Sequence, residues 1–310
     1  MAPASHLRAV LQALFVTVLW SSSWVLIKFG LQEIPPLTFA GLRYVMAALI
    51  LLPVALRLCG PAAFRALTRG QWALLAVFGL VQYGITQGAQ FLSLAYLPAT
   101  TASLLLAFTP ALVALFATLF LREPLAWPQW LGIAVFGVGA LLYFGPFTLG
   151  PGQRLGLLFA VVGVAANAAQ GVLGRYINRQ AASVPLLVTA VSMTIGSVAL
   201  LGTGVAVQGL PPLPLSAWLT VAWLAVVNTA FAFWLWNHTQ RTLPAVESSV
   251  INNTMLIQIA LLAWLFLGER PSAQQWAGIG LAFLGVLLVQ VWGAVRARRA
   301  RAAEPASERA

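Results

Sequence analysis

The sequence predicts an all-α membrane protein with ten transmembrane helices, arranged as two inverted five-helix repeats. Three observations support this fold class. Hydrophobic residues make up 61% of the 310 residues and charged residues only 7%, and the mean hydropathy is +0.90, whereas a water-soluble domain carries about a quarter charged residues. Apolar runs of helical length recur along the chain, and one half of the chain resembles the other.

Ten apolar runs are long enough to cross a bilayer, whose hydrocarbon core needs about 20 residues per helix. They lie at 9–27, 37–58, 72–93, 99–120, 129–147, 155–174, 185–207, 216–237, 246–267 and 275–294. The alternating segments of about ten residues that are typical of a transmembrane β-barrel are absent. The runs therefore predict ten spanning helices with short connections.

The basic residues are distributed unequally between the two ends of these helices. With a cytoplasmic N-terminus, only Lys28, Arg154 and Arg270 fall on the outer side, and Arg43 falls inside the second span. The inner side receives Arg8, Arg57, Arg65, Arg69, Arg122, Arg175, Arg179, Arg241, Arg296, Arg298, Arg299, Arg301 and Arg309. Cytoplasmic loops carry an excess of Lys and Arg, so both termini are predicted to face the cytoplasm. The formal charge of +11 then indicates contact with anionic lipid rather than with nucleic acid.

An internal repeat is the most informative feature of the sequence. Residues 96–145 align without gaps with residues 242–291, at an offset of 146. The matched positions include Leu-Pro-Ala at 97–99 and 243–245, Glu123 and Glu269, Gln-Trp at 129–130 and 275–276, and the glycines 132, 139, 278 and 285. Matched Pro, Glu, Gln-Trp and Gly positions are not expected by chance in lipid-facing helices, so the repeat is interpreted as real.

Each repeat contains five spans, and an odd number inverts the second copy relative to the membrane. The predicted units are 1–148 for the first repeat, 149–295 for the second and 296–310 for a basic cytoplasmic tail. Inverted repeats are the architecture of many secondary transporters, because two near-equivalent halves can exchange inward-open and outward-open shapes.

Several motifs resemble the EamA-type proteins of the drug/metabolite transporter superfamily. They are WSSSWVLIK at 20–28, IPPL at 34–37, AGLRY at 40–44, and the Glu-to-Gly-Ile stretches at 123–133 and 269–279. The resemblance extends over residues 9–294. It implies ten helices in two inverted repeats, located in the cytoplasmic membrane, and typically the export of amino acids, metabolites or drugs.

Polar residues within the predicted spans indicate where a solute would bind, because buried polar groups in lipid tend to face the bundle interior or a cavity. On the third span, five polar residues share one helical face. The predicted cavity residues are Trp20, Ser23, Gln82, Tyr83, Gln87, Gln90, Asn167, Gln170, Asn228, Trp236, Asn252 and Asn253. The alternative is that these amides and hydroxyls only hold helices together. For the third-span face, cavity lining is the favoured interpretation.

Charged residues within reach of such a cavity are few. Lys28 and Arg43 could contact a substrate carboxylate or pair with Glu33, and Arg43 could equally bond loop carbonyls. Glu247 is the only acid placed to couple protons, although a capping or interfacial role is preferred for it. The sequence contains no Asp and a single Cys, Cys59, so no metal ligands, cofactor site or catalytic residues are predicted.

The sequence therefore favours a secondary carrier that exports a small solute by alternating access. A channel-like facilitator would use the same polar face and stays open as an alternative. A membrane-embedded enzyme is disfavoured, since the chain has no H-E-x-x-H or G-x-S-x-G motif. An ATP-driven pump is also disfavoured, because the chain has no G-x-x-x-x-G-K-[ST] phosphate-binding loop. The expected partners are a small-molecule solute and membrane lipid, with no nucleic acid, and a homodimer is left open.

Overall fold

The computed structural model describes residues 3–113, 115, 125–145, 151–179, 185–240 and 242–303, and the chain is helical without a β-strand across these ranges. The α-helices are α1 (Pro3–Gly30), α2 (Pro36–Arg65), α3 (Arg69–Gly79), α4 (Gln87–Tyr96), α5 (Ala99–Leu106), α6 (Trp127–Phe144), α7 (Pro151–Arg179), α8 (Pro185–Gln208), α9 (Leu215–Ala225), α10 (Ala232–Thr239), α11 (Ala245–Asn253), α12 (Met255–Leu267) and α13 (Ala273–Ala303). Two π-helices, π1 (Leu80–Thr86) and π2 (Val226–Phe231), join α3 to α4 and α9 to α10.

Eight helical segments in the described part of the chain are long and apolar enough to cross a membrane. The two other predicted runs are not among these eight segments. Run 72–93 falls on α3, π1 and α4, and run 99–120 begins as a shorter apolar helix at Ala99–Val113, whereas residues 114 and 116–120 lie outside the described ranges. A multi-pass helical membrane protein is therefore confirmed, and the count of ten stays a prediction.

Proline residues set the start of several helices. Pro35, Pro98, Pro214 and Pro244 each occupy the position before a helix with extended backbone angles. Proline fixes φ near −65° and disfavours the α conformation for the residue before it, so a helix begins cleanly after it. At the opposite end of α12, Gly268 adopts a left-handed φ of 67°, a conformation that glycine accepts without the steric cost of a Cβ.

The fourth predicted span is interrupted near Pro110. The helix breaks at Ala107 and Phe108 before resuming at Thr109, because Pro110 has no N–H and its ring clashes with the carbonyl four residues earlier. A similar break separates α11 from α12 at Thr254. Phe108 and Thr254 are 146 residues apart, so the two breaks occur at matched positions of the repeat.

Helices α6 and α13 pack together through two reciprocal pairs of glycines. A Cβ built on Gly132 would lie 2.7 Å from the Gly285 carbonyl oxygen, and one on Gly285 would lie 2.6 Å from that of Gly132. The corresponding distances between Gly139 and Gly278 are both 2.7 Å. The helices are therefore antiparallel and in backbone contact, which only small residues permit.

The two ends of the bundle are identified by contacts between distant residues. At the Glu33 end, where α1 ends and α2, α5 and α9 begin, Ser216 donates to the Glu33 carboxylate at 3.5 Å and the Ala99 N–H donates to Glu269 at 2.6 Å. At the His6 end, where α3 and α11 begin, His6 contacts Glu247 at 2.8 Å. Helices α5 and α11, which follow the matched prolines 98 and 244, thus begin at opposite ends.

Apolar side chains fill the Glu33 end of the bundle. The largest cluster of buried hydrophobic residues includes Ile27, Phe39, Phe91, Leu94 and Leu224, all fully buried. The rings of Phe39 and Phe91 meet edge to face with centroids 5.2 Å apart. Since α1, α2, α4 and α9 all contribute to it, this cluster separates the interior of the bundle from the Glu33 end.

Candidate functional site

Arg43 is a buried cation inside the second span. It lies seven residues after the start of α2, about 10 Å along the helix axis, and only 5% of the residue is exposed. Its Nε donates a hydrogen bond of 3.2 Å to the hydroxyl of Thr229 on π2, and its guanidinium lies 5.1 Å from the ring centroid of Tyr44. The Thr229 hydroxyl itself donates to the carbonyl of Leu224 at 2.8 Å, so its lone pairs are turned toward Arg43.

No carboxylate neutralises Arg43 among the described residues. Glu33 is exposed and accepts from Ser216, Glu247 contacts His6, and Glu269 caps α5. Glu123, Glu304 and Glu308 lie outside the described ranges. Of the partners predicted for Arg43, neither Glu33 nor a loop carbonyl is bonded to it within the described residues. The observed partner, Thr229, has no signal in the sequence that marks it for this role.

Two aromatic residues and an amide extend the polar cluster around Arg43. The Tyr44 hydroxyl donates to Gln87 Oε1 at 2.7 Å, and the Tyr44 ring packs against Tyr83 with centroids 5.5 Å apart. Because its oxygen accepts from Tyr44, the amide of Gln87 points its NH₂ group away from Tyr44, and that group has no partner among the described residues. The structure therefore places the predicted residues Gln87 and Tyr83 against Tyr44, the neighbour of Arg43.

Each π-helix presents an amide whose oxygen is buried without a partner. Asn228 is fully buried; its NH₂ group donates to the carbonyl of Leu19 and, at 3.2 Å, to the hydroxyl of Ser22. Its Oδ1 has no hydrogen bond, and neither has the buried Oε1 of Gln82. Gln82 and Asn228 are 146 residues apart. Unpaired buried oxygens are costly, and π-helical turns are frequent at functional sites.

An aromatic wall stands next to Asn228. Trp20 on α1 packs against Phe233 and Trp236 of α10, with ring centroids 5.4 and 5.2 Å away. Trp20 and Trp236 are both predicted cavity residues. Large rings of this kind offer an apolar surface to a ligand, so the amides and the rings together provide polar and apolar contacts.

Other predicted cavity residues are bonded to neighbouring helices. Asn167 donates to Thr109 at 3.2 Å and accepts from Gln170 at 2.9 Å, and Asn253 donates to Gln290 at 2.6 Å. These pairs match the alternative in which polar side chains hold helices together. Ser23 is buried and donates to its own helix, at the Trp20 carbonyl, whereas Gln90 and Asn252 are partly buried.

A cross-link between α1 and α12 was not predicted from the sequence. Gln258 accepts from Ser21 at 2.9 Å and donates to Thr17 and Thr254 at 3.0 and 2.9 Å. In the other half, Asn167, which lies 146 residues after Ser21, donates to Thr109 and so joins α7 to the helical residues that follow α5.

The remaining charged candidates lie at the two ends. Lys28 is partly buried at the end of α1 and within electrostatic reach of Glu269. The Glu269 carboxylate accepts from the backbone N–H groups of Ala99 and Thr100, at 2.6 and 3.1 Å, and from the Thr100 hydroxyl at 2.7 Å. Glu269 therefore caps α5, whose first N–H groups otherwise lack acceptors. Glu247 contacts His6 across the His6 end.

Comparison with known proteins adds independent information. The profile of the EamA-like transporter family matches residues 7–145 and 154–291. The uncharacterized transporter YvbV of Bacillus subtilis is 30% identical over 198 residues, which cover 64% of this chain and 63%, or just under two thirds, of that protein. A probable terminal-alkyne amino-acid exporter of Streptantibioticus cattleyicolor is 29% identical over 91% of this chain and 93% of its own length.

More distant matches agree with these. An S-adenosylmethionine/S-adenosylhomocysteine transporter of Chlamydia muridarum is 24% identical, covering 87% of this chain and 88% of that protein. A crystal structure with 19% sequence identity superposes with a TM-score of 0.66 and covers 92% of this chain and 98% of the solved one. At that identity the likeness concerns the fold alone.

Proposed function

The chain belongs to the EamA-like transporter family, and we propose that it is a secondary transporter that exports a small amino-acid-like or drug-like solute across the cytoplasmic membrane. Transport proceeds by alternating access between two inverted five-helix halves, 1–148 and 149–295. The positive-inside distribution of arginines supports cytoplasmic termini, which makes the Glu33 end the outer one.

The reciprocal glycine contact between α6 and α13 is the observation that carries this proposal. Gly132 and Gly278 are 146 residues apart, as are Gly139 and Gly285. The contact of Gly132 with Gly285 therefore becomes the contact of Gly278 with Gly139 when the halves are exchanged. Such self-complementary pairing is typical of a two-fold axis, and between antiparallel helices that axis runs perpendicular to them, in the plane of the membrane.

The matched π-helices support the same arrangement. They lie in the third and eighth predicted spans, and each holds an unpaired amide oxygen, on Gln82 and Asn228. A π-helical turn loosens the regular α-helical hydrogen bonding, which suits a helix that must bend as the halves rearrange. The apolar cluster around Phe39 and Phe91 closes the interior toward the Glu33 end, so a solute at these amides would exchange with that side only after this cluster opens.

Two curated relatives support an amino-acid-like solute. One is named for amino-acid export and another for transport of S-adenosylmethionine, and amino acids and S-adenosylmethionine each carry a carboxylate beside an ammonium group. The buried arginine, the amides and the aromatic wall of this chain suit a zwitterion with an apolar part.

Counter-flow in proteoliposomes tests the transport function. Vesicles preloaded with unlabelled amino acids, nucleosides or hydrophobic cations should accumulate the same labelled solute faster than unloaded vesicles. Asn228→Ala should reduce this uptake, and Gln32→Ala, an exposed amide at the Glu33 end, should not. Flux without acceleration by internal solute would indicate a facilitator, and no flux above empty vesicles for any solute would contradict transport.

Cysteine labelling tests the inversion separately. Replacing Cys59 with Ser gives a chain without cysteine, because Cys59 is the only one. Gly70 and Ser216 are exposed, 146 residues apart, and lie at the start of α3 and α9. A membrane-impermeant maleimide should label Gly70→Cys and Ser216→Cys from opposite sides of the membrane. Labelling of both from one side would rule out inverted halves.

A further inference from the structure

The most unusual charged group in the interior is Arg43, which is buried without a counter-ion in the described part of the chain. An arginine stays protonated in proteins, and a buried charge is tolerated only when it is paired. The three described glutamates are engaged elsewhere. Among the described residues no carboxylate balances the charge of Arg43, which is therefore suited to bind an anionic group of a ligand.

The hydrogen bonds around Arg43 leave its terminal nitrogens available. Among the described contacts only Nε is bonded, to Thr229, and the two Nη atoms have no hydrogen-bond partner. Thr229 thus holds the guanidinium by its inner nitrogen. The outer edge, which forms paired hydrogen bonds with a carboxylate, is left without a partner in the described part of the chain.

Neighbouring groups complete a site for the head group of an amino acid. The NH₂ group of Gln87, whose oxygen is held by Tyr44, is a second donor without a partner among the described residues. Asn228, adjacent to Thr229 on π2, offers the unpaired Oδ1 as an acceptor, and its NH₂ group is fixed by Leu19 and Ser22. The donors suit a carboxylate and the acceptor suits an ammonium group.

We propose that Arg43 binds the carboxylate of the transported solute and that Asn228 Oδ1 accepts a hydrogen bond from its ammonium group. This inference rests on the proposed transport function and defines its solute as a zwitterionic α-amino acid with an apolar side chain. The side chain packs against Trp20 and Trp236, whose ring centroids lie 5.2 Å apart between α1 and α10. Arg43 is thereby a specificity-determining residue of the binding site.

Three probes that share a phenylethyl group separate the two charges: L-phenylalanine has both, phenethylamine lacks the carboxylate, and 3-phenylpropanoate lacks the ammonium group. A second set is L-leucine, isopentylamine and 4-methylpentanoate. Binding to the purified full chain in detergent is measured by calorimetry. In the wild type, the amino acid should bind more tightly than either single-charge analogue in at least one set.

Arg43→Gln should weaken binding of the amino acid and of the acid about 10- to 100-fold, the loss expected for a hydrogen bond to a charged group. Binding of the amine should stay unchanged. Arg43→Lys should recover part of the loss, since it keeps the charge without the planar fork. Arg154→Gln, at an exposed arginine, is the matched control and should bind all probes like the wild type.

Thr229→Val provides a second variant in case Arg43→Gln does not fold. It keeps the guanidinium and removes the hydroxyl that positions it, so the amino acid should bind several-fold more weakly while the amine is unaffected. Equal losses for acid and amine would assign Arg43 a structural role and overturn the proposal. A wild type that binds neither amino acid, yet shows counter-flow of another solute, would overturn this inference and leave the transport function intact.

Discussion

Adding one methyl group at the α6–α13 crossing should separate the two helices. Gly139→Ala introduces a Cβ 2.6 Å from the backbone nitrogen of Ala282 and 2.7 Å from the carbonyl oxygen of Gly278. Both neighbours are backbone atoms, so neither can rotate away as a side chain would. An unstrained contact between heavy atoms is about 3.5–4.0 Å, and the helices must therefore move apart by roughly 1 Å.

The cost of this displacement follows from the packing that it disturbs. Overpacking a close-packed interior costs about 1–3 kcal/mol. Alanine has a helix propensity up to about 1 kcal/mol better than glycine, which partly offsets the clash. Gly137 lies on the same helix with no atom within 4 Å of a built Cβ, so Gly137→Ala carries the propensity gain without the clash. The two variants should differ in unfolding free energy by about 1–3 kcal/mol.

Thermal unfolding in detergent, followed by the fluorescence of the 12 tryptophans, measures this difference. Each kcal/mol corresponds to about 2–4 °C in melting temperature for a chain of this order of size. Gly139→Ala should melt several degrees below Gly137→Ala, which should match or exceed the wild type. Equal melting temperatures for the two variants would refute the close backbone contact.

The same experiment tests the two-fold relation between the halves. Gly285→Ala, the counterpart of Gly139→Ala, places a Cβ 2.5 Å from the backbone nitrogen of Phe136. It should lower the melting temperature by a similar amount, with Gly280→Ala as its control because Gly280 also has open space around it. A large effect in one half and none in the other would contradict reciprocal packing.

Three further predictions concern contacts between distant parts of the chain. Glu269→Ala should destabilise the protein by about 0.5–2 kcal/mol, because α5 loses the acceptor for its first N–H groups; Glu33→Ala, at an exposed site, should have little effect in the same melt. Gln258→Leu should cost about 0.6–1.7 kcal/mol, the range for hydrogen bonds between membrane helices, and a melting temperature equal to that of the wild type would show that the bonds to Thr17 and Ser21 contribute nothing. A double-mutant cycle of His6→Ala and Glu247→Ala should give a coupling free energy below about 1 kcal/mol that decreases with salt, since both side chains are 43% exposed. A larger coupling free energy that does not change with salt would be inconsistent with a pair screened by solvent.

Local chemistry predicted the helices well, because its signals lie within each segment. Pro98 and Pro244 mark helix starts through their own backbone restrictions, and Pro110 marks a break within the residues around it. The π-helices had no such signal, since no residue type in 80–86 or 226–231 requires an extra residue per turn.

The polar residues show where prediction from sequence was incomplete. The polar and aromatic residues within the spans predicted a cavity lined by Gln87, Asn228 and Trp236. In the structure Gln87 bonds to Tyr44, Asn228 bonds to Leu19 and Ser22, and Trp236 packs against Trp20. The sequence could not distinguish them from Asn167 and Asn253, which bond to neighbouring helices, because a side chain on an inward face can meet either a partner or open space. That choice depends on a second helix far away in the chain.

Composition, run length and the offset of 146 are properties of the chain alone, and they were enough to predict a helical membrane protein with two related halves. Which polar groups are paired depends on the folded arrangement of the helices. Arg43 meets Thr229 across 186 residues of sequence, and Glu269 caps a helix that begins 170 residues before it. In lipid every buried polar group needs a partner, and a group left without one, such as Asn228 Oδ1, can be identified only when all helices are in place.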